Sequence, residues 1–140
     1  MQTNPYNNYL ETKVLFASPM ELVTILYNSA IQTLGLARSS LAAGDATSRA
    51  REVGRASAIL IELIQSLDRA NGGELAERLL ELYDYILRRI QQGGTTGNDQ
   101  AFVEAIQLLT TLLDGWNQVT EAAGNLSSQP EDPHPALYSY

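Results

Sequence analysis

Four times along this chain, apolar residues recur at alternating spacings of three and four. A helix advances by ~100° per residue, so that spacing keeps side chains on one helical face. The first stripe is Met20, Val23, Tyr27, Ala30, Leu34, Ala37 and Leu41. The second is Val53, Ala56, Leu60, Leu63, Leu67 and Ala70. Leu75, Leu79, Leu82 and Ile86 form the third, flanked by Ala76, Leu80, Tyr83, Leu87 and Ile90. Phe102, Ala105, Leu109, Leu112, Trp116 and Val119 form the fourth. No stretch alternates at period two over a useful length, so strands do not compete.

Punctuation divides the stripes. Ser18-Pro19-Met20-Glu21 reads as N-cap, proline at the first helical position and the glutamate of a capping box. Gly44 predicts an end to the first helix near residue 43. Asn71-Gly72-Gly73 predicts the end of the second helix and Gly93-Gly94 that of the third. Asn98 caps the fourth, which ends by Gly124. Short links make neighbouring helices antiparallel, and the 3-4 stripe packs at shallow angles. The expected fold is all-α, an antiparallel up-down-up-down four-helix bundle over 18–124. A flexible N-terminal segment precedes it over 1–17. A disordered tail follows over 125–140, where Pro130, Pro133 and Pro135 stand among polar residues.

Composition narrows the function. A net charge of −7, with Lys13 the only lysine, argues against binding a phosphate backbone. Cysteine is absent, so disulfides and thiolate metal sites are excluded. No apolar run reaches the ~18 residues of a membrane span, and no secretory signal is visible, so a cytoplasmic protein is expected. A di-iron bundle needs Glu-x-x-His pairs, and the single histidine is His134 in the tail. No metal and no cofactor are expected. Glu74, Glu77, Glu81 and Asp84 are the candidate carboxylates for acid–base work. Glu74 precedes Arg78 by four, and Asp84 precedes Arg88 by four, the order of surface ion pairs. Neither glycine pair is a phosphate loop. No enzyme is expected.

The unusual feature is missing charge on outer faces. Helix one carries none between Leu22 and Ala37, and helix four none from Ala105 to Leu113. Leu22, Ile25 and Leu36 lie well off the first stripe, Ile61 off the second and Tyr85 off the third. Singly, such residues are ordinary. Collectively they suggest grooves for amphipathic segments of a partner, or a face for self-association.

Tyr9, Val14, Ala17-Ser18-Pro19, Glu21-Leu22, Leu26-Tyr27 and Ala30 together resemble the opening signature of a known family, the flagellar secretion chaperone FliS. Gly72-Gly73-Glu74, Leu79 and Leu82-Tyr83-Asp84-Tyr85 resemble its mid-chain motif, and Trp116 falls where the family carries a tryptophan. The resemblance spans about residues 6–120. It implies a cytoplasmic chaperone that binds the C-terminal segment of flagellin, prevents premature polymerisation and delivers it to the type III export gate. It implies no ATP and no cofactor. The expected partner-binding residues are Leu22, Ile25, Leu36, Ile61 and Tyr85, in a monomer or weak dimer. The resemblance assigns Tyr9 and Val14 to a displaceable N-terminal cap, and an ordinary staple over the bundle end is the alternative for Tyr9. Ser18, Pro19 and Glu21 are helix-capping residues. Tyr27, Leu79, Tyr83 and Trp116 are expected to pack in the core. The rival to the chaperone reading is a self-associating structural bundle, or an adaptor for another amphipathic partner. Asn28-Ser29 departs from the family's usual Asp-Gly.

Overall fold

A computed structural model describes residues 18–126 and 137–139. Among them four helices follow in order: α1 (Pro19–Ala42), α2 (Ala46–Ser66), α3 (Arg69–Thr96) and α4 (Asp99–Leu126). The links between them are two or three residues long, too short for anything but antiparallel neighbours. α1 packs against α2 and α4, and α3 packs against the same two, so the helices close a ring. The fold is the four-helix bundle that the stripes predict.

Each helix start is satisfied locally. Ser18 Oγ accepts from the Glu21 N–H at 3.2 Å, with Pro19 opening the helix. Asp45 accepts from the Ser48 N–H at 3.0 Å, and Asp68 from the Asn71 N–H at 3.1 Å. Asn98 accepts from the Gln100 N–H at 3.0 Å. These caps answer the orphan donors that a helix start leaves.

The core joins all four stripes. Val23, Tyr27 and Leu34 of α1 meet Leu60 and Leu63 of α2, with Tyr83, Ile86, Ile90, Phe102 and Leu109 of α3 and α4. Glycine in the middle of a helix costs about 0.5–1 kcal/mol relative to alanine. Gly35 of α1 has open space where a Cβ would stand. Gly35→Ala should therefore raise stability by about that amount, read as a higher urea midpoint at unchanged slope. An unchanged or lower midpoint would show a contact there that the fold does not contain.

Three boundaries differ from expectation. α2 stops at Ser66, with Leu67 extended (ψ 128°), several residues before Asn71-Gly72-Gly73. Asp68 then starts a new turn, which Gly73 breaks at φ 58° and ψ −140° before the main run of α3. Gly93-Gly94 does not end α3. The helix continues to Thr96, and Gly97 (φ 66°) supplies the left-handed cap. Gly93 and Gly94 are instead sites of close approach. A Cβ on Gly93 would lie 2.6 Å from the Phe102 ring, and one on Gly94 would lie 3.0 Å from the Val53 methyls. Leu75 and Val119, expected on core stripes, are 58% and 50% exposed. Leu75 stands just past the Gly73 break, where the restarted helix buries Ala76 instead. Val119 stands beyond Trp116, the last α4 residue in the core.

The expected structureless stretch over 125–140 also needs amending. α4 runs through Leu126, and residues 137–139 pack back on the bundle. Tyr138 is 2% exposed and belongs to the core, because its ring fills the end of the bundle between Tyr27, Tyr83 and Trp116. Tyr9, Val14 and His134 lie outside the described residues.

Candidate partner-binding surface

Leu36, Ile61 and Tyr85 stand on the outer faces of α1, α2 and α3 at 48%, 42% and 40% exposure. Leu22 is half-buried. Ile25 is a correction. It lies off the α1 core stripe yet is only 8% exposed, without joining the continuous core. A helical wheel gives the direction of a side chain, not what lies over it, so Ile25 is not an open contact in this structure. The remaining candidates occupy three helices. Leu36 and Ile61 share the adjacent pair α1 and α2, while Tyr85 stands on α3.

Tyr85 is exposed, but its hydroxyl is engaged. Its hydroxyl donates to Glu104 Oε1 of α4, and that bond raises its pKa above the ordinary tyrosine value. Arg89 Nε stands 3.6 Å from the same carboxylate oxygen, and Arg89 Nη1 donates to Gln92 Oε1 at 2.8 Å. The result is a polar clasp between α3 and α4 with an aromatic face above it. A partner could use the ring without competing for the hydroxyl.

Three of the four carboxylates considered for chemistry, Glu74, Glu77 and Asp84, form surface ion pairs. Arg78 reaches Glu74 at 2.7 Å, and Arg88 reaches Asp84 at 3.3 Å. Glu77 receives Arg69 through two bonds, 2.9 and 3.2 Å, across the Gly73 break. Among the described residues no cluster of His, Cys, Asp or Glu is placed to hold a metal ion. Among them, too, no helix is long and apolar enough to cross a membrane. An open cavity of about 230 Å³ lies where α1 ends and α4 begins, lined by Arg38, Leu41, Ala42 and Asp99. Arg38 Nε and Nη2 donate to the two Asp99 oxygens at 2.8 and 3.1 Å, which holds that carboxyl below the usual range. None of the candidate contact residues lines it.

The motif residues divide in the same way. Tyr27, Leu79, Tyr83 and Trp116 are buried in the core. Trp116 Nε1 donates to Thr24 Oγ1 at 3.0 Å, tying α4 to the start of α1. Glu52 was not anticipated at all. It is 6% exposed on α2, with Oε1 3.5 Å from Arg51 and 3.6 Å from Arg55, and Oε2 lacks a hydrogen-bond partner. Its position between two arginines in an otherwise apolar register was the available signal.

A family model described as "Flagellar protein FliS" matches residues 2–123. The chain belongs to the FliS family. It is 34% identical over 115 residues to the flagellar secretion chaperone FliS of Salmonella typhimurium, covering 81% of this chain and 85% of that one. It is 32% identical over 120 residues to the flagellar secretion chaperone FliS of Campylobacter jejuni, covering 85% and 94%. The flagellar secretion chaperone FliS of Bacillus subtilis is 29% identical over 119 residues, covering 85% and 88%. FliS membership places the chain in a chaperone class of flagellar biogenesis.

Proposed function

We propose that this protein is a cytoplasmic flagellar export chaperone that captures the C-terminal segment of flagellin on its outer helical faces. The observation that carries the reading is the pair Leu36 and Ile61, large apolar side chains on adjacent helices at 48% and 42% exposure. They lie beside an α1 face with no charge between Leu22 and Ala37. An amphipathic segment that buries its apolar side there removes the surface it would use to join a filament. Polymerisation is thus blocked by competition, and the bound subunit is handed to the type III export apparatus. Binding alone performs this task, so neither catalysis nor a cofactor enters it. Leu22 and the Tyr85 ring extend the contact.

Burying the exposed half of one such anchor is worth about 0.7–1.4 kcal/mol, and an aspartate in its place adds the cost of desolvating a charge, so the loss is on the order of tenfold in affinity. Leu36→Asp and Ile61→Asp should each weaken flagellin binding by that factor, while melting stays near wild type. Calorimetric titration with the C-terminal segment of the host flagellin checks this. One-to-one binding with a strongly negative heat-capacity change is expected. A folded, monomeric sample that does not bind would overturn the reading. Association of the protein with itself in a light-scattering concentration series, abolished by the same two substitutions, would assign the faces to a homodimer.

A further inference from the structure

Among the described residues, the corner between α2 and α3 is where extended backbone forms a bridge with another segment. Leu67 is extended, and the Ser66 carbonyl and Asp68 N–H on either side of it pair with another segment instead of with a helix. Residues 137–139 use that edge. The Asp68 N–H donates to the Leu137 carbonyl at 2.8 Å, and the Ser139 N–H donates to the Ser66 carbonyl at 2.9 Å. Leu67 and Tyr138 thereby form an antiparallel bridge.

Side-chain recognition accompanies the pairing. Leu137 packs beside Gly72, where a Cβ would stand 3.3 Å from Leu137 Cδ1 as well as 2.7 Å from Ala76 Cβ of α3. The Tyr138 ring enters a socket whose wall is Trp116, edge-on at 5.5 Å and 86°. At the bottom its hydroxyl meets those of Tyr83 and Tyr27, the latter at 3.4 Å. Three hydroxyls with three hydrogens can close a cycle in which each donates once and accepts once. Backbone pairing for affinity and pockets for alternate side chains are the marks of extended-peptide recognition.

We propose that the α2–α3 corner is a binding slot for an extended peptide carrying a leucine–tyrosine pair, and that residues 137–139 are its tethered ligand. The tether is a reversible one. Two backbone bonds, one buried ring with its hydroxyl contacts and the half-buried Leu137 oppose the entropy of ordering three residues and closing the chain between Leu126 and Leu137. The ligand is therefore held in cis by local concentration, and the slot opens without unfolding the bundle.

Trp116 is the chain's single tryptophan, so it reports the slot directly. In full-length Tyr138→Ala, the uncovered indole should emit further to the red at unchanged helicity. A free peptide of residues 135–140 should then restore the wild-type emission of that variant. The same peptide should bind the wild-type chain at least about tenfold more weakly, because the tethered copy competes. A peptide with alanine for its first tyrosine should do nothing. A folded Tyr138→Ala that ignores the intact peptide overturns the proposal. Should that variant fail to fold, amide exchange on the wild-type chain decides. Exchange of the Asp68 and Ser139 amides faster than those of the core helices supports a reversible slot. Exchange only through global unfolding overturns it and makes Tyr138 a fixed part of the core.

Discussion

Phe102→Ala should destabilise the bundle by about 3–5 kcal/mol, the range for emptying a fully buried aromatic site. Phe102 is 0% exposed, and its ring lies in the space that Gly93 leaves on α3. The more revealing result concerns Gly93 itself. With Phe102 present, a Cβ at 2.6 Å from the ring must push it aside. Overpacking of that kind costs about 1–3 kcal/mol, only partly offset by the roughly 1 kcal/mol that alanine gains over glycine in a helix. Gly93→Ala should therefore be destabilising in the wild-type background. In Phe102→Ala the ring is gone, and the same methyl enters a cavity. Gly93→Ala should there become stabilising, a reversal of sign with a coupling of about 1–3 kcal/mol. Urea unfolding of the four proteins measures it. Additive effects would show that α3 and α4 are not held at the separation the glycine permits.

Raising the pH should produce the second large loss. Burial pushes the Tyr83 hydroxyl far above the ordinary tyrosine value, and it raises Tyr27 as well. A phenol with a raised folded-state pKa gives stability that is whole below about pH 10, the unfolded value. That stability is lost as pH climbs toward the folded value, because only the unfolded chain releases the proton. Each pH unit in that window removes about 1.4 kcal/mol per phenol, or roughly 2.7 kcal/mol for the two. Lys13 is the only lysine among the titrating groups, so the alkaline limb belongs mainly to tyrosine. Unfolding midpoints at pH 8, 10 and 11 should fall steeply across the last interval. Absorbance of ionised tyrosine should show a fraction of the seven tyrosines appearing only as helicity is lost. Ionisation of every tyrosine near pH 10 in a chain that is still helical would contradict it.

Periodicity made the helices, their number and most of the core legible, because one buried face per helix leaves a direct mark on the sequence. Tyr27, Tyr83 and Trp116 were readable as packing for that reason. Glycine was harder, since the same letter serves two physical needs. Gly97 ends a helix by adopting positive φ, whereas Gly93 and Gly94 sit inside one so that a ring and a valine can come close. Only the facing side chains tell these apart, and they come from other helices. Ile25 failed for a related reason: its angle on the wheel is right, but cover is a property of the whole chain. Tyr138 carried no signal at all, because one of two tyrosines after a proline-containing stretch has no helical period to reveal its destination. Of the candidate contacts, Leu36, Ile61 and Tyr85 were legible from their angle to the stripe and the lack of nearby charge.

The ring order of the helices also bears on how the chain reaches its fold. α1 with α2, α2 with α3, and α3 with α4 are each joined by a link of two or three residues. Their contacts are local, and local contacts form quickly. The seam between α1 and α4 differs, since Trp116 and Thr24 bond across 92 positions of sequence. Closing it brings together the ends of nearly the whole bundle, and the entropy of that loop grows only as the logarithm of its length. On this topology the three locally linked helix pairs are expected to form before the α1–α4 seam closes over them. Trp116, the chain's single tryptophan, stands on that long-range seam.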